Sequence, residues 1–304
     1  MKIKGLFLLI ILLLTFSVQS DTTVYGKLFV TLESQEMITG TELNIENNAS
    51  RLGIKGNIEL KRELEFIYQA EYEIDPVDGT ADESNGRSFK QRNTFIGFKG
   101  SLGTLFLGTH DTAFKKSQDK IDLFNDLAGD IKNILEGENR LSELVGFTTP
   151  VFGKNLSATF NLIKEKDGLG DTSSFSLRYK TSNIYAAVAL DSKVEGYDSY
   201  RASFQIPFNK AQLGLMFQTS KEVNTGNKEE AYVVSLSRKI TNKGTIKLQL
   251  TESDLKLVSG KQRTLGYDQE LSKKAKIFIF YADLSSSMVE KERNVTAMGF
   301  EFKF

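Results

Sequence analysis

The chain has no cysteine, no tryptophan, a single histidine and only three prolines in 304 residues. Without cysteine there is no disulfide scaffold, no thiolate zinc site, no iron–sulfur cluster and no thiol nucleophile. One histidine, His110, rules out a site that needs two or three imidazoles. Charge of one sign is also lacking: 39 basic side chains balance 39 acidic ones, so nothing points to a nucleic-acid partner. Beyond the N-terminus no stretch approaches the ~18 apolar residues that a membrane helix requires.

The one long apolar run is Leu6–Leu14, preceded by the basic start Met1-Lys2-Ile3-Lys4 and followed by Val18-Gln19-Ser20. A short basic segment, a nine-residue apolar stretch and small residues before a cleavage point form an export signal too short to span a bilayer. Residues 1–20 are therefore expected to be a signal peptide and 21–304 the mature domain. Any membrane crossing in that domain has to be made of strands.

Alternation of period two runs through nearly all of the mature chain. Leu52, Ile54, Ile58 and Leu60 interleave with Arg51, Lys55, Asn57 and Glu59. Leu64, Phe66, Tyr68, Ala70 and Tyr72 interleave with Glu65, Gln69, Glu71 and Glu73. This is how a strand with one wet and one apolar face reads. Sixteen such segments start near residues 22, 50, 63, 90, 103, 142, 156, 172, 184, 198, 211, 230, 243, 261, 274 and 293. Short turns such as Gly100–Leu102 and Thr241-Asn242 alternate with longer polar loops such as Ser34–Ala49, Asp75–Phe89 and His110–Leu141. Turns at one end and loops at the other describe an all-β, antiparallel, up-and-down transmembrane barrel. A sandwich has no reason to gather its long loops at one end. The segment from Lys90 fits least well, because Phe95, Ile96 and Phe98 break the alternation. The last strand carries Met298, Phe300, Phe302 and Phe304 on one face and stops at Phe304, as expected of a lipid-facing final strand.

Several of these segments resemble the Gram-negative general porins. Tyr25-Gly26-Lys27 is similar to their first strand and Ser50–Gly56 to their second. Arg92–Gly100 with Leu102–Gly108 looks like their fourth-to-fifth-strand hairpin, and Thr149–Phe152 like the turn after their sixth strand. The Gly299–Phe304 end resembles their terminal aromatic strand. The resemblance covers the whole mature chain. It implies sixteen strands, a third loop folded into the lumen, an outer-membrane location, a homotrimer embedded in lipid and lipopolysaccharide, and passive diffusion of ions and small hydrophilic solutes. No cofactor or metal follows from it. Phe304, with Phe302 and Phe300, is implied to be read during assembly. The barrel is short for the family, and counts of fourteen or eighteen strands stay open.

Within the third loop the period changes at Ile121. At about 100° per residue, Asp122, Asp126 and Asp130 share one face of a wheel, while Phe124, Leu127, Ile131, Ile134 and Leu135 share another. A short amphipathic helix is expected there, apolar face on the barrel wall and carboxylates toward the pore; the alternative is a surface loop with a solvated acidic face. Lys27, Arg51 and Lys55 alternate away from the lipid-facing residues and so point into the lumen. Arg92 and Arg140 match the family's remaining wall cations. Opposed acidic and basic rows would set a transverse field at the narrowest point, and the sign of the ion preference is left open. His110 beside Asp111 has no nucleophile motif near it. A barrel enzyme, or a plugged or substrate-specific transporter, is the alternative to a passive channel.

Overall fold

The computed structural model describes residues 20–61, 63–164, 172–254, 260–288 and 291–304. The proposed signal peptide falls outside them except for Ser20. In chain order the strands are β1 (Ser20–Met37), β2 (Gly40–Asn47), β3 (Arg51–Lys61), β4 (Leu64–Ile74), β5 (Phe89–Gly100), β6 (Gly103–Asp111), β7 (Arg140–Thr148), β8 (Leu156–Ile163), β9 (Thr172–Lys180), β10 (Tyr185–Val194), β11 (Tyr197–Phe208), β12 (Ala211–Glu222), β13 (Lys228–Lys239), β14 (Gly244–Ser253), β15 (Gly260–Glu270), β16 (Ala275–Ser285) and β17 (Arg293–Lys303). Each pairs antiparallel with its neighbours, and pairing of β1 with β17 closes the sheet into a barrel.

Ser20–Lys27 of β1 pairs with β3, and Val30–Met37 of the same strand pairs with β2. β2 and β3 are thus two halves of one crossing, interrupted at Asn48–Ser50, and the barrel has sixteen strands. The expected first loop, Ser34–Ala49, is instead mostly strand: β1 runs on to Met37, turns and returns as β2. The break is held locally. Ser50 Oγ accepts from the Phe29 amide at 2.9 Å, and Asn47 Oδ1 accepts from the Ser50 amide at 3.0 Å.

Alternation sorts the side chains. On β1, Lys27, Phe29, Thr31 and Glu33 face the interior at 8% exposure or less, while Leu28 and Leu32 face outward at 39% and 43%. The outward set continues around the barrel as a belt of exposed Leu, Ile, Val, Phe and Tyr, and Met298, Phe300, Phe302 and Phe304 belong to it. A surface this apolar is stable only against lipid. Among the described residues no helix is long and apolar enough to cross a membrane.

The irregular alternation of β5 has a structural cause. Ala70 pairs with Thr94 and Tyr72 with Gln91, so Arg92 and Asn93 both lie opposite Glu71 as a bulge. The extra residue reverses the inside–outside phase. Arg92 points inward before the bulge, and Phe95 points inward after it, packed on Phe106 and His110 with ring centroids 5.7 and 5.2 Å apart.

Candidate functional site: the third loop and the lumen wall

The chain between β6 and β7 folds into the lumen, but not as the expected helix. Its regular pieces are one turn of α-helix, α1 (Ala113–Lys116), and a single 3₁₀ turn at Ile131–Asn133. Between them the backbone runs through separate turns, and Asp126 takes φ +68°. The apolar residues meet the wall as expected. Ile121, Ile131, Ile134 and Leu135 pack against Met216, Ala231, Val233 and Leu284, and Phe124 and Leu127 pack against Phe29, Phe278, Phe280 and Ala297. Gly266 makes room for Phe124: a Cβ there would lie 2.8 Å from its ring.

The wall also replaces the helix's own hydrogen bonds. Gln249 accepts from the Leu123 amide at 2.7 Å and donates to the Gly129 carbonyl at 3.0 Å. Gln262 donates to Ala128, Gln218 to Glu136 and Lys247 to Leu123. Asn161 and Ser174 accept from the amides of Ala113 and Phe114. A buried backbone needs such partners, and inward-facing glutamines supply them here, so the loop needs no internal ladder.

Asp126 is the loop's link to the opposite wall. Its carboxylate lies 2.7 Å from Arg51 Nη2 and 3.1 Å from Lys27 Nζ. Burial would raise the acid's pKa, but Lys27, Arg51 and Arg92 outweigh it and hold the group far below the usual carboxylate range. The other two acids also line lumen cavities, Asp122 on the short-turn side and Asp130 on the long-loop side, but both are bonded by the loop's own backbone. Asp130 is 1% exposed, and its oxygens accept from the amides of Asp126 and Lys132. Asp122 accepts from the Phe124 amide at 3.0 Å; burial, and then the nearby Asp130, raise its pKa well above the ordinary value. The expected helix is absent, so the four-residue spacing does not put the three carboxylates on one helical face, although each of them lines a lumen cavity.

The wall cations are interleaved with wall acids. Arg92 bonds Glu71 at 3.1 Å and Glu73 at 2.8 Å, while Arg140 bonds Asp111 at 3.0 Å and the Asn93 side chain at 2.9 Å. Lys55 lies over the Tyr25 ring at 5.1 Å, in a recess toward the short-turn end. A cavity of about 320 Å³ on the long-loop side and one of about 800 Å³ on the short-turn side share Arg92, Lys115, Asn125, Asp126 and Arg140. Those five residues line both cavities and mark the candidate rim between the two halves of the lumen. Lys115 and Asn125 had not been singled out from sequence. Neither had Glu71 and Glu73 as partners of Arg92, although both stand in the polar phase of their strand.

A family model described as Gram-negative porin matches residues 10–287. The chain belongs to that family. It is 24% identical over 265 residues to the major outer membrane protein P.IB of Neisseria meningitidis, a match covering 79% of this chain and 78% of that protein. A 28% match to the P.IB protein of Neisseria sicca covers 39% of this chain and only 34% of that relative, and one to Neisseria lactamica covers 58% of its relative. The fold matches an anion-selective porin from Comamonas acidovorans with a TM-score of 0.79 at 21% identity, covering 94% of this chain and all of that one. It also matches OmpF of Salmonella typhi, solved with daunomycin, with a TM-score of 0.73 at 15% identity over 93% of this chain and 97% of that one. The porin is a protein of the bacterial outer membrane.

Proposed function

We propose that this porin is a passive, water-filled diffusion channel for ions and small hydrophilic solutes, with a preference for anions. The observation that carries the preference is the charge around the narrow rim. Three cations, Arg92, Lys115 and Arg140, share it with one carboxylate, Asp126; with the Lys27 and Arg51 that hold Asp126 and the Glu71, Glu73 and Asp111 that pair with the cations, five basic groups meet four acidic ones. On the short-turn side ten basic residues line the cavity against six acidic ones. A surplus of fixed positive charge within a screening length of about 10 Å raises the local concentration of anions. The neighbour from Comamonas acidovorans is named as anion-selective, in keeping with this reading.

The rest of the reading follows the family. Residues 1–20 serve as a cleaved export signal, whose removal leaves β1 from Asp21 onward. The apolar belt sits in outer-membrane lipid and lipopolysaccharide. Three copies associate, as in the trimer form described for OmpT of Vibrio cholerae.

The test is the reversal potential of purified, refolded protein in a salt gradient across a planar bilayer. The expected sign is that of anion permeation, and Arg92→Gln and Lys115→Gln should each move it toward cations. A cation-selective parent, or a protein that folds yet never conducts, would overturn the proposal.

A further inference from the structure

The net charge of zero hides a division along the channel axis. Four of the long connections, residues 28–50, 74–89, 191–198 and 219–230, hold fourteen acidic side chains and four basic ones. The remaining long connections outside the third loop are close to balanced. At the opposite end, five short turns, residues 149–155, 180–184, 208–211, 238–244 and 271–276, hold nine basic side chains and no acidic one. Glu59, Glu63 and Glu65 at the β3–β4 turn oppose this trend, and Lys99 answers Glu65 at 3.5 Å.

The division extends from the mouths into the lumen. On the long-loop side the inward-facing Glu33 shares one field with Glu46, Asp75 and Glu83, and Arg293 is the cation that faces them. On the short-turn side the cavity of about 800 Å³ has ten basic residues on its wall against six acidic ones.

Two oppositely charged halves in series make each ion plentiful in one half only. Potassium is enriched in the acidic half and chloride in the basic half. With the long-loop side positive, the field drives potassium in through the acidic half and chloride in through the basic half. Both collect at the rim, and the conductance rises. With the voltage reversed, each ion leaves the rim through the half where it is plentiful and is replaced through the half where it is scarce. The rim is then depleted and the conductance falls. Fixed charge acts only within the screening length, about 30 Å at 0.01 M salt and about 3 Å at 1 M. The asymmetry therefore belongs to dilute media, while at 0.1 M the charges of the rim itself dominate.

We propose that this porin rectifies ion current in dilute salt, passing more when the long-loop side is positive, because its two mouths carry opposite fixed charge. The proposal rests on the open-channel reading, and the two can fail separately.

The test is the current of single refolded channels at equal and opposite voltages, with the same potassium chloride solution on both sides. Asn224 is exposed in the β12–β13 connection, and the chain has no cysteine of its own. Biotin placed on Asn224→Cys therefore lets streptavidin, added to one chamber, report which way each channel points. The expected ratio of the two currents is about twofold or more at roughly 10 mM salt and close to one at roughly 1 M. Lys273 and Lys274 are exposed at one mouth, and Glu42 and Glu83 at the other. Lys273→Glu with Lys274→Glu should bring the dilute-salt ratio at least halfway back to one, and so should Glu42→Lys with Glu83→Lys. Either pair keeps the test available if the other folds poorly. Equal currents through a conducting parent in dilute salt would overturn the proposal. So would rectification of the opposite sense, a ratio that persists at roughly 1 M, or a ratio that neither pair of changes moves. A parent that does not conduct at all would sink the channel reading instead.

Discussion

Arg201 of β11 and Glu138 of the third loop form an ion pair of 2.8 Å from which water is almost excluded, the two side chains being 0% and 5% exposed. The same guanidinium bonds Gln218 at 2.7 Å, reaches the Phe114 and Glu136 carbonyls and lies 4.2 Å above the Phe114 ring. It therefore grips the loop near both its entry and its return. Breaking a buried pair from one side costs about 3–5 kcal/mol, because the remaining charge is stranded. Arg201→Met should lower the thermal midpoint in detergent and make open-channel current noisier. A variant as stable and as quiet as the parent would show that the loop is held elsewhere.

Of Asp122, Asp126 and Asp130, Asp126 alone reaches across to Lys27 and Arg51. Asp126→Asn should therefore shift the reversal potential toward anions by nearly as much as Asp122→Asn, Asp126→Asn and Asp130→Asn combined. If the single change does little and the triple change does much, the assignment of Asp122 and Asp130 to the loop's own backbone is wrong.

The depressed pKa of Asp126 fixes a pH dependence. Its folded-state pKa lies below that of an unfolded aspartate, about 3.9. The stabilisation it provides is complete above that unfolded value and is lost only as pH falls through the lower folded one. At pH 4 an ordinary aspartate would be close to half protonated, but Asp126 stays ionised. The selectivity difference between parent and Asp126→Asn should thus be the same at pH 4 as at pH 7. A difference that halves at pH 4 would contradict the charge pairing.

The sequence disclosed the barrel almost completely. All sixteen expected strand starts lie within two residues of those found, because alternation reports a local property, which face of each residue meets lipid. The third loop was half legible. Its apolar residues were correctly read as wall-facing, yet their spacing fits a helix and a series of wall-bonded turns equally well. What decides between them is supplied from far along the chain: Gln249 and Gln262 take up groups more than a hundred residues away. The segment from Lys90 fitted least well for a related reason, since the bulge at Arg92-Asn93 changes phase without a local signature. Lys115 reaches the rim only because α1 turns it there, capped by Thr112, whose side chain accepts from the Lys115 amide at 3.1 Å.

Gly266 lies under the Phe124 ring, with the Ile279 carbonyl 3.2 Å from where a Cβ would stand. Gly266→Val should displace Phe124 and the turn that carries Asp126. Overpacking of this kind costs about 1–3 kcal/mol. The expected readouts are a lower thermal midpoint and altered single-channel conductance; unchanged conductance would mean the ring does not set the loop's position.

Phe304 exchanges two backbone hydrogen bonds with Gly26, each 3.2 Å, and its ring covers that glycine. Burying such a ring contributes about 1.5–3 kcal/mol, a small share of a barrel's cohesion. Deleting Phe304 is expected to lower the amount of protein in the outer membrane while refolded channels conduct as before. Normal cellular levels would argue against a role in assembly.

Closure of the barrel joins Lys27 to Lys303, residues at opposite ends of the chain. Every other strand pair can form as its hairpin emerges, but this seam must wait for the last strand. Until then both margins of the growing sheet present unpaired amides and carbonyls, an invitation to intermolecular pairing. Bringing such distant segments together is also the slowest kind of contact to make. The rate of acquiring the native state should accordingly be governed by the encounter of the first and last strands, and a chaperone that shields β17 would control when each molecule commits.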